Sequence, residues 1–535
     1  MGRIAVVVIM SLWVIPTSII VNRVVSDPYM DEIFHIPQTQ QYCRGKFWSW
    51  DPMITTPPGL YYLSLAHVAC LFPGMFLTNM VSSVSELCST AILRSVNCVL
   101  AVLCGIVVYE IITHLRPAIA NAKATVVALV LALYPLHWFF TFLYYTDVAS
   151  LTVVLAMYLA CLKKRYYLSA LLGAFAVLVR QTNIIWMLFV ACTGIIDITL
   201  ACEGESMEVD QSHMLSRRVG NFSSINLVKT SSNMRRRKQN IAMNTDKHHT
   251  VHRPASSTTY FPGFIDEIHA ICLTSWHMKW KLLFTFSPFI MVLVAFVAFV
   301  RWNGSVVLGA KEAHAVSAHF AQVMYFSLVT ALLMAPIHFS LHQVLNMTRS
   351  FRKHWPLSFC QWLVGLVAGF LSIHFFSIAH PYLLADNRHY TFYLWRKVIN
   401  ANWLMKYLLI PLYVYSWFSI FSIFSMYSFP VHFSSNLCCL LFKYHSVAGK
   451  AGKKTIWVLA YFLATAAVLV PAPLIEFRYY TIPFYFLILH SPITYSRTLL
   501  LTGAIYLTID CFTMTMFLFR PFHWSHEPGV QRFIW

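Results

Sequence analysis

An acidic pair follows the first hydrophobic segment of the chain. Asp31 and Glu32 are adjacent, and His35 comes one helical turn later. Acids are rare here: Asp and Glu number 20 among 535 residues, and charged residues make up 11% of the chain, against about 25% in a typical soluble domain. A carboxylate beside a membrane can serve as a general base toward a hydroxyl group. The alternative is a solvated loop helix that carries its acids by chance.

The composition indicates an integral membrane protein. Hydrophobic residues make up 58% of the chain, and the mean hydropathy is +0.62. Apolar runs of about 18 or more residues, enough to cross a hydrocarbon core of roughly 30 Å, recur along the sequence. Backbone polar groups in lipid need internal partners, and no alternating barrel pattern is present, so these runs are predicted to be helices. The net charge of +19 does not indicate nucleic-acid binding, because the basic residues stand in short clusters between the runs.

The cysteines are predicted to be small core residues. Most of the 13 lie inside apolar runs, which favours buried free thiols over a disulfide framework or a zinc site. Examples are Cys98, Cys104, Cys161, Cys192 and Cys360.

The first apolar run sets the predicted topology. It extends from Ile4 to about Val21, and no small-residue cleavage site follows it, which favours an uncleaved signal anchor with a cytosolic amino terminus. Residues 22–90 then face the lumen, and the short apolar segment 59–72 within them is predicted to be re-entrant or interfacial. About 12–14 transmembrane helices are expected in all, and the side of the carboxyl terminus stays open. Further spans are predicted at about 91–112, 124–142, 147–162, 166–179, 182–199, 282–301, 318–345, 357–378, 404–428, 455–472, 479–495 and 499–519.

The basic loops support this topology. In the alternating frame, every predicted cytosolic loop carries Lys, Arg or His, as the positive-inside bias requires. These residues are His114, Arg116 and Lys123; Lys163 to Arg165; Arg235 to Lys238; Arg349, Arg352 and Lys353; and Lys443, Lys450, Lys453 and Lys454.

Three parts of the chain follow from this frame. Residues 1–200 form an amino-terminal transmembrane module whose first luminal loop, 22–90, carries the acidic pair. Residues 201–279 are rich in Ser, Asn, Arg and Lys and are predicted to be a disordered cytosolic loop. Residues 280–535 form a carboxyl-terminal transmembrane module with a luminal loop at 380–402.

The unusual polar residues fall on the predicted luminal side. Ionisable groups at membrane depth are costly and usually face a cavity or a partner. Arg180 is the clearest case, because it interrupts an apolar hairpin: it either pairs with Asp147 to hold helices together, snorkels to the headgroups, or lines a polar active cavity. Six polar clusters on one side favour the cavity, and their cations suit a phosphate. The clusters lie at 31–35, 50–59, 144–147, 179–183, 380–390 and 476–480.

These motifs resemble one enzyme family. The strings Met30–Gln38, Trp50–Leu60, His380–Lys397 and Glu476–Tyr480 are similar to those of the dolichyl-phosphate-glucose-dependent α-1,2-glucosyltransferases of the endoplasmic reticulum. That family attaches the last glucose to the lipid-linked N-glycan precursor. The resemblance implies an all-α polytopic C-type glycosyltransferase fold with a luminal active-site cavity, dolichyl phosphate glucose as donor, and a dolichyl-diphosphate-linked glucosylated oligosaccharide as acceptor. It also implies an acidic site in the first luminal loop.

The chemistry of such a transfer needs a single base. The donor glucose is β-linked to a lipid phosphate and the product is α-linked, so direct displacement inverts the anomeric centre. One carboxylate must accept the proton of the attacking hydroxyl, whereas the departing phosphodiester, a weak base, needs no acid. Fixed cations stabilise the charge that develops on the phosphate. The scheme requires no metal and no cofactor.

Roles are expected accordingly. Asp31 is the expected base and Glu32 an alternative, since the motif does not decide between them. Expected acceptor- or sugar-binding residues are His35, Gln38, Asp51, Asp147, Arg180 and Gln181, and expected donor-phosphate-binding residues are Arg388, His389, Tyr390, Arg396 and Arg478. The rival functions are a transporter and a non-catalytic membrane regulator. A transporter would more often show broken helices or inverted repeats, and the sequence has neither.

Overall fold

A computed structural model of the protein describes residues 1–73, 87–201, 264–314, 316–426, 452–491, 496–525 and 529–535. Across these ranges the regular structure is helical, apart from an antiparallel ribbon of two short strands, Phe522–His523 and Val530–Gln531, and one isolated bridge. The all-α polytopic membrane fold predicted from composition is confirmed.

Seven helices in the described ranges are long and apolar enough to cross a membrane: Gly2–Val24, Thr90–Leu115, Asn183–Ala201, Lys279–Asn303, Trp355–Phe376, Met405–Ile423 and Ser496–Phe519. Shorter apolar helices are Gly59–Leu71, Asn121–Ala132, Thr146–Leu162, Tyr166–Val179, Ala321–Leu333 and Ile456–Leu469. The remaining α-helices are Glu32–Cys43, Pro135–Phe140, Phe264–His277, Ala335–His338, Leu341–Lys353, Pro381–Ala385, Tyr390–Leu394 and Thr481–His490. Thus Phe264–His277 is helical where a disordered loop was predicted. The rest of that predicted loop, from 202 to 263, lies outside the described residues.

Several predicted spans differ from the helices. The span predicted at 124–142 divides before Pro135, because proline cannot continue the hydrogen-bond ladder of a helix. The span predicted at 318–345 is wrong in its second half, where a separate helix, Leu341–Lys353, begins. Its amino terminus is capped by Ser340, whose hydroxyl accepts from the Gln343 N–H at 3.2 Å. Its basic residues and exposed apolar ones are typical of a helix lying along a membrane surface.

The contacts sort the helix ends into two groups. Glu110 pairs with Arg3 and, at 2.9 Å, with Lys163. The start of the first helix therefore lies beside the predicted cytosolic ends of two others. Arg116 joins the same end and donates to the Leu489 carbonyl at 2.9 Å. We call this the basic end of the bundle.

The other end carries Asp31, and we call it the site end. The Tyr29 hydroxyl donates to the Arg532 carbonyl at 2.7 Å, and the Trp535 main-chain oxygen lies 3.0 Å from His389 Nδ1. The last residues of the chain therefore lie at the same end of the bundle as Asp31.

A disulfide joins Cys43 to Cys88. It links the helix that starts next to Asp31 to the segment preceding Thr90–Leu115. The prediction that cysteines are free core residues is wrong for this pair, which lies outside the long apolar runs. Buried cysteines outside any disulfide are found as expected at Cys98, Cys104 and Cys161, whereas Cys192 and Cys360 are exposed on their helices.

The predicted re-entrant or interfacial segment is the helix Gly59–Leu71. Its 13 residues span about 20 Å, too short for the hydrocarbon core. A Cβ on Gly59 would lie 2.5 Å from the Leu178 carbonyl oxygen, so only glycine permits this approach. The helix thereby packs against the carboxyl end of Tyr166–Val179, next to Arg180.

Candidate active site

Asp31 stands at the start of the helix Glu32–Cys43. Its backbone N–H donates to the Tyr145 hydroxyl at 3.2 Å. The preceding residue, Met30, has φ 56°, a left-handed conformation that is uncommon for a side chain other than glycine and that is concentrated at functional sites. The Asp31 side chain is 44% exposed, and its carboxylate lies 3.2 Å from Arg478 Nη1.

The charge state of Asp31 follows from these neighbours. Burial by itself would raise its pKa, but the neighbouring positive charge, chiefly the Arg478 guanidinium, outweighs burial and holds the pKa of the carboxyl below its ordinary value. Asp31 is therefore an anion at neutral pH, with a face open to an incoming group. His35 stands one turn further along and its Nδ1 lies 2.7 Å from the Tyr61 hydroxyl. Burial is also the main cause that lowers the pKa of His35, which leaves that ring neutral.

Glu32 has the opposite environment. Its side chain is 0% exposed and accepts two hydrogen bonds from Arg94, from Nε to Oε1 at 2.8 Å and from Nη2 to Oε2 at 2.6 Å. It also accepts from the backbone N–H of Tyr29 at 3.0 Å and of Tyr144 at 2.6 Å. Four donors occupy the two oxygens, so no part of this carboxylate is free to receive a substrate proton.

Arg94 extends this buried network. Its guanidinium donates to the carbonyls of Val25 at 2.5 Å and Asp27 at 3.0 Å, and it is fully buried. Asn97, one turn later, donates to the carbonyls of Leu143 and Tyr145 at 2.7 and 2.8 Å. The helix Thr90–Leu115 thus fastens the segment before Asp31 to the segment before Asp147.

Arg478 connects the acids of the site. Its Nη2 lies 2.8 Å from Glu476, and its Nη1 lies 3.2 Å from Asp31 and 3.7 Å from Asp147. Arg180 pairs with Asp147 at 2.8 Å. Three carboxylates and two guanidiniums give the group a formal charge of −1 (2 − 3). Burial would lower the pKa of Arg478, but the surrounding carboxylates raise it well above its ordinary value, so the side chain keeps its charge. We call these five residues the ion cluster.

Arg180 pairs with Asp147, as in the first of the three alternatives given for it, and the pair belongs to this cluster. Its members come from four separate segments: the loop before residue 32, the start of Thr146–Leu162, the turn after Tyr166–Val179, and the short helix Phe477–Tyr480 with the residue before it. Only the tertiary fold brings them together.

A second cluster adjoins the first. Arg388 donates to Asp386 through Nε at 2.9 Å and Nη2 at 2.8 Å, and to Gln531 through Nη1 at 2.9 Å. Its guanidinium also stacks over Trp524 at 4.6 Å. Burial would raise the pKa of Asp386, but Arg388 and His389 lower it. His389 contributes to lowering the pKa of Asp31 as well, so its ring lies within electrostatic reach of the ion cluster.

Three of the predicted sugar-binding residues brace the loop 49–56. Gln38 and Gln181 hold it through backbone contacts, and Asp51 closes a turn within it. The contacts are Gln38 Nε2 to the Ser49 carbonyl (2.5 Å), Asp51 N–H to Gln38 Oε1 (2.9 Å), Met53 N–H to Asp51 Oδ1 (2.9 Å) and Gln181 Nε2 to the Thr55 carbonyl (2.9 Å). Buried polar atoms of this region that have no protein partner among the described residues are Trp50 Nε1, Thr56 Oγ1 and Gln181 Oε1. Each of these atoms has hydrogen-bonding capacity that no described residue satisfies.

The sequence pattern of the DIE2/ALG10 family matches residues 25–489. This chain belongs to that family. An Arabidopsis thaliana protein is 58% identical over 538 residues, covering 100% of both chains. Proteins of Mus musculus and Homo sapiens are 30% and 31% identical over 519 residues, covering 96% of this chain and 94% of theirs. Each of the three carries the name Dol-P-Glc:Glc(2)Man(9)GlcNAc(2)-PP-Dol alpha-1,2-glucosyltransferase. No solved structure matches the chain.

In this DIE2/ALG10 family member, the expected site residues do not all converge. Asp31, His35, Asp147, Arg180 and Arg478 lie in or next to the ion cluster, with His389 adjoining. Arg388 instead donates to Asp386 and Gln531, and Arg396 is exposed, with its guanidinium 5.8 Å over the Phe392 ring.

Three residues of the site were not among those given a role from the sequence. Glu476, which pairs with Arg478, lay in one of the six polar clusters but was assigned no role. Arg94 and Asn97 lie inside a predicted span, where they were taken as part of an apolar helix. The signal for Arg94 was present: it is an arginine inside a hydrophobic run, the same feature that singled out Arg180.

Proposed function

We propose that this protein transfers glucose from dolichyl phosphate glucose to the terminal glucose of a dolichyl-diphosphate-linked oligosaccharide, forming an α-1,2 bond with inversion. The names of the relatives support the donor and acceptor classes. The observation that carries the mechanism is the contrast within the acidic pair: the Asp31 carboxylate is anionic and partly open, and the Glu32 carboxylate is enclosed. These relatives favour transfer over the transporter and regulator alternatives.

Asp31 is the general base of this proposal. It accepts the proton of the acceptor's 2-hydroxyl as that oxygen attacks the anomeric carbon of the donor, and the bond to the phosphate breaks on the opposite face. The salt bridge to Arg478 keeps Asp31 ionised before the substrates arrive. The leaving phosphodiester needs no proton, so a second carboxylic acid has no task.

Arg478 also faces the departing phosphate in this proposal. A fixed guanidinium in a sheltered site stabilises charge that builds on the leaving group, and Arg180 adds to the positive field. Arg388 acts indirectly: by holding Asp386 and Gln531 it shapes the loop that presents His389 and Tyr390.

Glu32 and Arg94 are positioning residues. Their pair ties the loop that bears Asp31 to the loop that leads to Asp147. Because Met30 is held in a left-handed conformation, the backbone at Asp31 needs such support to keep its direction.

The site end is proposed to face the lumen of the endoplasmic reticulum. The Cys43–Cys88 disulfide lies at this end, and disulfides persist in oxidising compartments. The exposed cations Lys163 to Arg165 lie at the other end, as the positive-inside bias predicts for the cytosol.

The test is transfer by purified protein in lipid, with dolichyl phosphate glucose and the glucosylated acceptor. We expect Asp31→Asn to lower kcat by about two to four orders of magnitude. Thermal unfolding should change little, because Arg478 keeps Glu476 and Asp147 as partners. Asp27→Asn, an exposed acid of the same loop, is the matched control and should stay within about twofold. Near-normal turnover of Asp31→Asn would place the base elsewhere.

A further inference from the structure

A lateral groove lies beside the ion cluster at the site end. It has a volume of about 620 Å³ and is lined mostly by apolar side chains, among them Leu394, Phe477, Ile509, Phe512 and Trp535. These side chains come from the consecutive helical segments Tyr390–Leu394 and Trp395–Ile399, the short helix Phe477–Tyr480, the helix Ser496–Phe519 and the end of the chain. The size is that of a site for a small molecule or part of a larger one.

One side of the groove opens on the lipid-facing surface. Phe512 is 59% exposed on Ser496–Phe519, a helix long and apolar enough to cross a membrane. Val398, in the turn Trp395–Ile399 on the other side of the groove, is exposed as well. The inner side reaches Phe477, whose chain neighbour is Arg478. The groove therefore extends from an exposed apolar surface to the chain neighbour of Arg478, a path that suits an apolar chain whose head must reach Asp31.

Two buried hydrogen-bond donors lie in the groove without a partner. Tyr390 Oη and Trp535 Nε1 are buried and have no hydrogen-bond acceptor among the described residues. Burial raises the pKa of Tyr390 well above its ordinary value, so the phenol keeps its proton and can donate it. Buried donors are normally paired, and two left open in one groove indicate an acceptor that arrives with a ligand.

A cation stands at the rim. Lys397 is exposed, lines the groove and makes no ion pair within the described ranges. It is carried by a π-helical turn, Trp395–Ile399, a rare wide turn that is often found at functional sites. The turn is anchored by the buried side chains of Trp395 and Ile399, which leaves Lys397 and Val398 facing the groove.

We propose that the groove binds the phosphate-proximal isoprene units of a polyprenyl phosphate, with Tyr390 Oη, Trp535 Nε1 and Lys397 around its phosphate. Aromatic side chains suit an unsaturated, branched chain, and two neutral donors with one ammonium suit a phosphodiester. This inference rests on the proposed function, because it takes the bound lipid to be the glucose donor. An ordinary phospholipid shares the chemistry of an apolar tail and a phosphate, and the test separates the two.

Filling the groove tests its occupant. Thr508→Trp puts a large ring into the groove from the helix surface, and Leu507→Trp, one residue away at a lipid-exposed position, is the matched control. We expect Thr508→Trp to raise the KM for long-chain dolichyl phosphate glucose about tenfold or more. The variant should also lose the preference of the unmodified protein for this long-chain donor over a donor with a ten-carbon prenyl chain. Leu507→Trp should keep both values. An unchanged KM in Thr508→Trp would overturn the proposal.

Removing single donors gives a second measurement that spares the fold. Tyr390→Phe should raise the donor KM about tenfold with a smaller change in kcat, and Tyr382→Phe, an exposed tyrosine nearby in sequence, should change neither. A Tyr390→Phe variant with normal donor KM would contradict the phosphate assignment.

Binding without turnover separates this inference from the proposed function. Native mass spectrometry with sugar-free dolichyl phosphate should show lipid retained by the unmodified protein and lost from Thr508→Trp, whether or not glucose is transferred. Equal displacement of dolichyl phosphate by phosphatidic acid would show a general phospholipid site and overturn the proposal. Retained binding in a protein that transfers no glucose would refute the proposed function and leave the groove assignment standing.

Discussion

The two ends of the helix bundle treat charge in opposite ways. At the site end, Asp147, Arg180, Glu476 and Arg478 are each less than a fifth exposed and are joined through ion pairs. At the basic end, Lys164, Arg165 and Lys281 are exposed, and no ion pair involves them within the described ranges. Removing charges from water costs several kcal/mol per ion unless partners compensate. The exposed cations bear no such cost and need only orient the chain, whereas the buried charges must match one another.

Exposure also differs among the charged residues of the site end itself. Asp31 is the member of the ion cluster that keeps a large exposed face, at 44%. The remaining members are sheltered and hold it in place. A site of this kind is stable only while each sheltered charge keeps its partner, and it is reactive through the one carboxylate that is open.

The largest effect is expected from breaking the enclosed pair. Arg94→Met leaves Glu32 buried without its cation, and we expect a loss of about 3–5 kcal/mol in the free energy of unfolding. Equilibrium unfolding of the protein in mixed micelles measures this change in the free energy of unfolding. The double variant Arg94→Met with Glu32→Met should recover much of the stability, because no lone charge remains. A single variant as stable as the unmodified protein would show that the pair does not hold the site end together.

A second prediction concerns the pH dependence of the reaction. Because the Arg478 guanidinium holds the pKa of Asp31 below its ordinary value, the carboxylate persists to low pH, and the acid limb of kcat/KM should lie below the usual range for aspartate. In Arg478→Met, burial acts with less opposition and the limb should move to higher pH, in addition to a loss of rate. Lys163→Met at the basic end is the control and should leave the limb in place. If the acid limb does not move in Arg478→Met, the group that titrates in this limb is not Asp31.

The smallest effect is expected at the basic end. Lys164→Gln combined with Arg165→Gln removes two exposed charges, and exposed charges contribute about 0–1 kcal/mol each. Correctly inserted, purified protein should therefore transfer glucose within about twofold of the normal rate. A tenfold loss would mean that the basic end takes part in the reaction and that the contrast between the ends is false.

Sparse charge made the site visible in the sequence. In a chain with so few acids, Asp31, Asp147 and Arg180 could be singled out from their neighbours, and the pairing of the last two was anticipated. The helical membrane fold followed from apolar run length, with errors where prolines or a surface helix interrupt a run, as at Pro135 and Leu341. These are local properties, and local sequence specifies them.

The different environments of Asp31, which is partly open, and Glu32, which is enclosed, could not be predicted in the same way. Adjacent residues share their sequence context, and what separates them is Arg94, 62 positions away from Glu32. The same holds for Arg388, whose suitability for phosphate is a property of arginine, while its actual partners lie 2 and 143 positions away.

The sequence by itself determined the membrane class, most of the helices, the clustering of basic residues between apolar runs and the acidic pair, because hydrophobicity and charge act over one helix at a time. The tertiary structure alone decided which carboxylate is open, which cysteines are joined, and which cations meet the acids. Those outcomes depend on distances between segments far apart in the chain. Burial and charge compensation change a side chain's reactivity only once those segments are packed together.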